Sequence, residues 1–134
     1  MLFRKKKEKK LKRAFGDLKE ERFNFELISK YFLNGDHSNS FHVLSEKTCN
    51  DLDFEELYMF LDRTYSKPGQ QLLYDKLRAF ATNEEGVKNQ EELIKEFSEN
   101  EALRLKIQQQ LSKLNDFETY YLTNLFHDKY LKPP

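Results

Sequence analysis

The densest chemistry in the chain is positive charge at its start. Arg4, Lys5, Lys6, Lys7, Lys9, Lys10, Lys12 and Arg13 stand against Glu8 alone, about +7 within the first thirteen residues. Such a run can grip anionic lipid headgroups or nucleic-acid phosphate; equally it can be a solvated helix or an unstructured arm. No aromatic interleaving or base-reading motif accompanies it. The formal net charge of the whole chain is +0, so the remainder carries about −7 and the chain is no histone-like binder. Asp62 and Arg63 put an acid beside a base. They flank a turn, where charge-assisted hydrogen bonds across the corner are the expected use rather than proton transfer. His37, His42 and His127 lack metal-ligand spacing with one another or with Cys49. No two of Gly16, Gly35, Gly69 and Gly86 have the five-residue offset, followed by Lys and Ser or Thr, of a phosphate-cradling loop. No nucleophile–base or metal constellation emerges, so the sequence predicts no catalytic residue, no metal site and no enzyme in this chain.

The elements that must position these residues centre on residues 51–80. Phe54, Leu57, Tyr58 and Leu61 fall at i, i+3, i+4 and i+7, the stripe of an amphipathic helix. Asp53 with Glu56 has capping-box spacing. A corner follows, Tyr65-Ser66-Lys67-Pro68-Gly69, with Ser66 as N-cap and Pro68 in the first turn of the next helix. Gly69 either permits close backbone approach or relieves a tight entry. Leu72, Leu73, Leu77 and Phe80 form the answering stripe, so two helices should pack across a short connection. Upstream, Leu2 to roughly Leu33 reads as helical, with Phe15, Leu18, Phe25, Ile28 and Phe32 on one face and Gly16 able to split it. Asn34-Gly35-Asp36 signals a helix end. Phe41-His42-Val43-Leu44 is extended or one helical turn. Downstream, Thr82 and Glu85 have cap spacing for a third core helix carrying Val87, Gln90, Ile94 and Phe97. A fourth runs from Glu101 to Leu114 on a seam of Leu103, Ile107, Leu111 and Leu114. Asn115 and Glu118 open a fifth, with Phe117, Tyr121 and Leu125. Pro133-Pro134 ends any helix. Tyr58, Tyr65, Tyr74, Tyr120 and Tyr121 read as packing on helix faces rather than a base-stacking platform.

The bounds agree with one elongated helical domain. The chain has 134 residues, 38% hydrophobic and 34% charged, with 12 Phe and 7 Tyr supplying bulk in the absence of Trp. No stretch has the apolar length of a membrane span or a signal peptide. A single cysteine, Cys49, excludes a disulfide framework and makes a reducing cytoplasm the expected compartment, with membrane association open through the basic arm.

The central stretch also resembles a known family. Leu61-Asp62-Arg63-Thr64, then Pro68-Gly69 and Leu72-Leu73, resemble the start of the helical core domain of MutS-type mismatch repair ATPases, with Lys67 where the family's proline usually stands. Glu99-Asn100-Glu101-Ala102-Leu103-Arg104 and Leu111-Ser112-Lys113-Leu114-Asn115-Asp116-Phe117-Glu118 resemble the next two core helices. The resemblance covers about residues 51–126.

It implies an all-α helical bundle like the MutS core and lever domain, with an N-terminal basic arm and connector over residues 1–50 and a truncated core over 51–134. Asp62, Arg63, Thr64, Pro68 and Gly69 would form its structural turn. The chain would be a non-catalytic module coupling DNA to an ATPase domain beyond it. This part would hold no cofactor; ATP and Mg²⁺ belong to the full-length protein, as do double-stranded DNA binding and a homodimer. The alternative is a peripheral membrane or scaffold module, its basic arm meeting an anionic membrane surface. The family's mismatch wedge is Phe-x-Glu. Phe54-Glu55-Glu56 and Phe97-Ser98-Glu99 match those letters, but both phenylalanines fall on expected packing faces, and residues 1–50 do not resemble the mismatch-binding domain.

Overall fold

The computed structural model describes residues 1–81 and 83–126. The chain is mostly helical. Helix α1 spans Leu2–Ala14 and ends where Gly16 takes φ +82, a left-handed value that costs a residue without Cβ little. The expected continuation to Leu33 is absent. Residues 17–24 run without helix, then α2 (Phe25–Ile28) and α3 (Lys30–Asn34) follow as short pieces. Of the face expected there, Ile28 and Phe32 are buried, whereas Phe15 and Leu18 are exposed.

His42–Val43 is extended, as one of the two options allowed. It forms β1 and pairs antiparallel with β2 (Ala79–Phe80), so the all-α class holds apart from this ribbon of two two-residue strands. Helices α4 (Glu46–Asp51) and α5 (Phe54–Leu61) meet at Asp53, the one non-glycine residue at positive φ among those described. Asp53 makes no side-chain cap bond. The expected capping box is absent because a capping side chain needs extended backbone and Asp53 is left-handed.

Helix α6 (Lys67–Arg78) begins as its sequence predicts. Ser66 Oγ accepts from the Gly69 amide at 3.0 Å, and Pro68 sits in the first turn. A Cβ on Gly69 would stand 2.7 Å from Ser66 Oγ and 3.3 Å from Thr64 Cβ, so this glycine permits a close approach. Ser66→Ala is expected to cost about 1 kcal/mol by removing the cap. Gly69→Ala should displace the same hydroxyl, yet cost less when added to Ser66→Ala, because the nearest atom it strikes is gone and only the 3.3 Å approach to Thr64 Cβ remains. Urea unfolding of the two single variants and the double checks this non-additivity.

The two stripes differ from expectation. On α5 only Phe54 and Tyr58 are buried; Leu57 and Leu61 are exposed. On α6 the fully buried residues are Gln70, Gln71, Tyr74 and Arg78; of the expected stripe Leu73 and Leu77 are half-buried against the core, while Leu72 is 44% exposed. Phe80 lies beyond the helix, in β2. The helices still touch, through Phe54 against Tyr74 at 5.3 Å and Tyr58 against Tyr74 at 5.9 Å. The core gathers Leu27, Ile28, Phe32, Cys49, Phe54, Tyr58, Tyr74 and Tyr120. Residues on both sides of the expected 50/51 boundary contribute to it, so that boundary divides chain segments and not cores.

Helix α7 (Glu84–Glu99) is capped by Asn83, whose side chain accepts from the Glu85 amide; the expected cap Thr82 lies outside the described residues. No residue of α7 is fully buried, and Val87 and Ile94 are exposed. Helix α8 (Glu101–Leu111) buries Leu105 and Gln108 rather than the expected seam, of which Leu111 and Leu114 are exposed. Its seam is displaced because α8 packs on α1, where Leu11 is buried, as well as on α7. The expected fifth α-helix is instead a 3-10 helix over Phe117–Phe126, burying Tyr120 and Thr123 while Phe117, Tyr121 and Leu125 stay outside. His127 and the Pro133-Pro134 ending lie outside the described residues.

Candidate functional site

Two sets of polar side chains stand out: a buried corner at the α5–α6 turn, and the open basic face of α1. Asp62 ends α5 on extended backbone and is fully buried. A bare carboxylate there would be strongly disfavoured, so each of its oxygens has to find donors. Oδ1 accepts from the Thr64 amide at 2.8 Å and the Thr64 hydroxyl at 2.7 Å. Oδ2 accepts from Lys19 Nζ at 3.0 Å and Gln70 Nε2 at 2.9 Å. Burial by itself would raise the Asp62 pKa. The bonds from Thr64 and Gln70 and the Lys19 charge outweigh it and hold the carboxyl below its usual range.

Gln70 and Gln71 extend this network. Gln70 Nε2 also donates to Glu21 Oε1 at 2.8 Å, and its Oε1 accepts from Tyr120 Oη at 2.7 Å. Two carboxylates on one side of the amide can only accept, which fixes its orientation. The Gln70 carbonyl accepts from the buried Tyr58 hydroxyl at 2.8 Å. Burial pushes the Tyr120 phenol up to about 12 and the Tyr58 phenol higher still, so both remain donors at neutral pH. Gln71 Nε2 donates to the carbonyls of Leu27 (2.9 Å) and Tyr120 (3.1 Å), and its Oε1 accepts from Thr123 at 2.8 Å. Arg63 closes the outer side, Nη1 donating to Phe60 O at 2.6 Å and to Asp62 O at 3.0 Å, and Nε to Gly16 O at 3.3 Å. Five separate stretches of chain are thereby tied to one turn: residues 16–21, α2, α5, α6 and the 3-10 helix.

A second tie sits at the other end of α6. Arg78, 3% exposed, lies over Phe32 at 4.3 Å and donates to Glu46, Tyr74 Oη and the Leu44 carbonyl. A third holds the α1 end of the molecule. The Arg104 guanidinium stacks on Phe15 at 3.7 Å and donates to the Phe97 carbonyl at 2.8 Å. These bonds are structural, and Asp62 has no oxygen left to act as a base.

The expected turn residues Asp62, Arg63, Thr64, Pro68 and Gly69 therefore lie together at the corner. Sequence reasoning missed Lys19, Glu21, Gln70, Gln71, Arg78 and Thr123, and read Tyr120 for packing alone, without its bond to Gln70. Gln70, Tyr74 and Arg78 share the i, i+4, i+8 spacing of one helix face, and with Tyr74 on a packing face that spacing is the signal that could have placed the other two. Phe54 is buried and Phe97 half-buried, so neither Phe-x-Glu match projects outward. Tyr58, Tyr74 and Tyr120 are buried, Tyr65 is half-buried and Tyr121 is exposed with Lys30 over its ring. No group of three or more His, Cys, Asp or Glu side chains is arranged to hold a metal among the described residues.

The basic run is a folded helix, not a loose arm. Leu11 is buried and Lys12 pairs with Glu101 at 2.8 Å. Arg4, Lys5, Lys6, Lys7, Lys9, Lys10 and Arg13 are exposed and make no ion pair among the described residues. Phe3, Lys6, Lys7, Lys9, Lys10 and Arg13 border an open trough of about 870 Å³ along the helix. No helix among the described residues is long and apolar enough to cross a membrane.

Fold and site together define a helical scaffold braced by a buried polar corner, with one strongly basic helix on its outside. No family model, curated protein or solved structure matches the chain.

Proposed function

We propose that this chain is the non-catalytic helical core module of a MutS-related, mismatch repair-type ATPase, coupling DNA to an ATPase domain elsewhere in the full-length protein. The observation that carries it is the corner at Asp62. A turn resembling the one that opens the family's helical core is also the point where five chain segments are fastened by saturated, buried hydrogen bonds. Saturation at low dielectric makes such a joint stiff, because any rotation orphans several groups at once. A stiff joint between helices is what a part that passes a two-state change between distant sites requires. In this reading ATP, Mg²⁺ and the contact between two copies belong to the full-length protein, and double-stranded DNA is met there as well.

Two measurements test it. The coding sequence after Pro134 should continue into a phosphate-cradling loop of the Gly-x4-Gly-Lys-Ser/Thr kind; a frame without one sinks the proposal. In the full-length protein, Arg63→Ala should leave ATP hydrolysis without DNA near wild type and reduce its stimulation by duplex DNA at least about fivefold, the scale of a 1 kcal/mol coupling loss. Unchanged stimulation would show that the corner does not transmit.

A further inference from the structure

We propose that helix α1 is a docking surface for an anionic lipid bilayer, with its N-terminal tip inserted at the headgroup boundary. Two independent features meet on this helix. The first is charge. Seven basic side chains are exposed and free of ion pairs among the described residues, while Lys12 alone is engaged, with Glu101. Because the chain's formal net charge is +0, the basic helix is balanced by an acidic body. A negatively charged surface attracts one end of this molecule and repels the other, which fixes orientation as well as affinity.

The second feature is apolar. Met1, Leu2 and Phe3 are 95%, 82% and 88% exposed, at the start of the same helix. Leu11, on the side that meets the fold, is buried, so the helix is anchored to the body while its tip is not. Phe3 stands at i to Lys6, Lys10 and Arg13 at i+3, i+7 and i+10, one stripe along the helix. Long basic side chains can reach headgroups while their stems and the aromatic ring sit against the acyl boundary. Phosphate on a nucleic-acid backbone would use the same charges but offers nothing to three exposed apolar side chains in a row. Lipid uses both features.

One basic cluster or one short apolar tip gives only marginal, reversible binding; the pair acts together. The surface is local to α1 and works the same way whatever domain follows the described residues.

The test is vesicle co-sedimentation of the whole chain at physiological salt. Vesicles of phosphatidylcholine alone are compared with vesicles containing about one third phosphatidylserine. The wild type is expected to partition onto the anionic vesicles and not onto neutral ones. Each basic residue near an anionic surface is worth roughly fivefold in partition. The triple variant Lys6→Gln/Lys10→Gln/Arg13→Gln should therefore weaken binding by more than about 30-fold. Phe3→Ser should weaken it by about tenfold at unchanged charge. The comparison variant Lys47→Gln/Lys88→Gln/Lys106→Gln removes as many positive charges elsewhere and should keep wild-type binding. All altered positions are exposed or on the open helix face, and far-UV circular dichroism of each variant verifies that the helices persist. Equal partition onto the two vesicle types, equal loss in both triple variants, or an unaffected Phe3→Ser overturns the proposal. So does binding to duplex DNA at lower concentration than to the vesicles with the same dependence on Lys6, Lys10 and Arg13, which would assign the surface to nucleic acid.

Discussion

Asp62→Ala should destabilise the protein by about 3–5 kcal/mol, the scale for removing one partner from a buried charged pair. Asp62 is fully buried, and the side chain of Lys19 is only 18% exposed. Removing the carboxylate leaves the Lys19 ammonium, one Gln70 amide hydrogen and two Thr64 donors facing a void. The cost is the desolvation of those donors more than the lost attraction itself. Asp62→Asn is the informative companion. One oxygen can still accept from Thr64, but the new amide hydrogens point at Lys19 and Gln70, donor against donor. About 2 kcal/mol is expected. Urea unfolding monitored by circular dichroism checks both. A loss under about 1 kcal/mol for Asp62→Ala would mean that the corner is decoration and would remove the basis for a stiff joint.

The same residue sets an acid sensitivity. An unfolded aspartate titrates near pH 3.9; in the folded protein the Asp62 carboxyl lies lower. Its contribution is therefore complete above the unfolded value and is lost as pH falls through the folded one. Wild type should lose stability below about pH 4 more steeply than Asp62→Asn, which has no carboxyl at this position to protonate.

The second large effect inverts what the α6 pattern implies. Gln71→Leu should cost roughly 3 kcal/mol, although it replaces a polar residue by an apolar one on a helix. Gln71 is fully buried, and its amide serves the Leu27 and Tyr120 carbonyls and the Thr123 hydroxyl. Leucine satisfies none of them. The Thr123 hydroxyl keeps a longer bond of 3.3 Å to the Tyr120 carbonyl, which limits the damage. By contrast Leu72→Ala, next in sequence, should cost less than about 1 kcal/mol, because Leu72 is 44% exposed. Thermal unfolding of the two variants side by side decides it. A larger loss at Leu72 than at Gln71 would place Leu72 inward after all.

That inversion marks where pattern reading stops. The corner itself was legible because its signals are local. Ser66 three residues before Gly69, Pro68 in a first turn and Asp62 two residues before Thr64 act over a few bonds. Local geometry of this kind needs no knowledge of the rest of the fold. Gly16 was legible as a place where the first helix could split, but that residues 17–24 would leave the helix altogether was not. The seams of α6 and α8 were not legible. Helical periodicity identifies a face as apolar, but not which face a neighbour will cover. On α6 Leu73 and Leu77 do pack on the core, but Gln70, Gln71 and Arg78 are covered more completely, and Asp62, Leu27, Tyr120 and Thr123 arrive at the two glutamines from other parts of the chain. On α8 the seam turned because α1 packs on it, placing Lys12 beside Glu101 and Phe15 under Arg104.

By itself the amino-acid sequence determined that this chain is helical, that it bends at residues 62–69, and that one end is strongly basic. Each of these follows from backbone preference or charge within a few neighbouring residues. Only the tertiary structure decided that two glutamines and an aspartate lie at the centre, that the basic run is a docked helix with a bare tip, and that residues 19–21 close the corner. A buried hydrogen bond is satisfied by whichever group the fold brings within about 3 Å, and chain distance carries no record of that meeting.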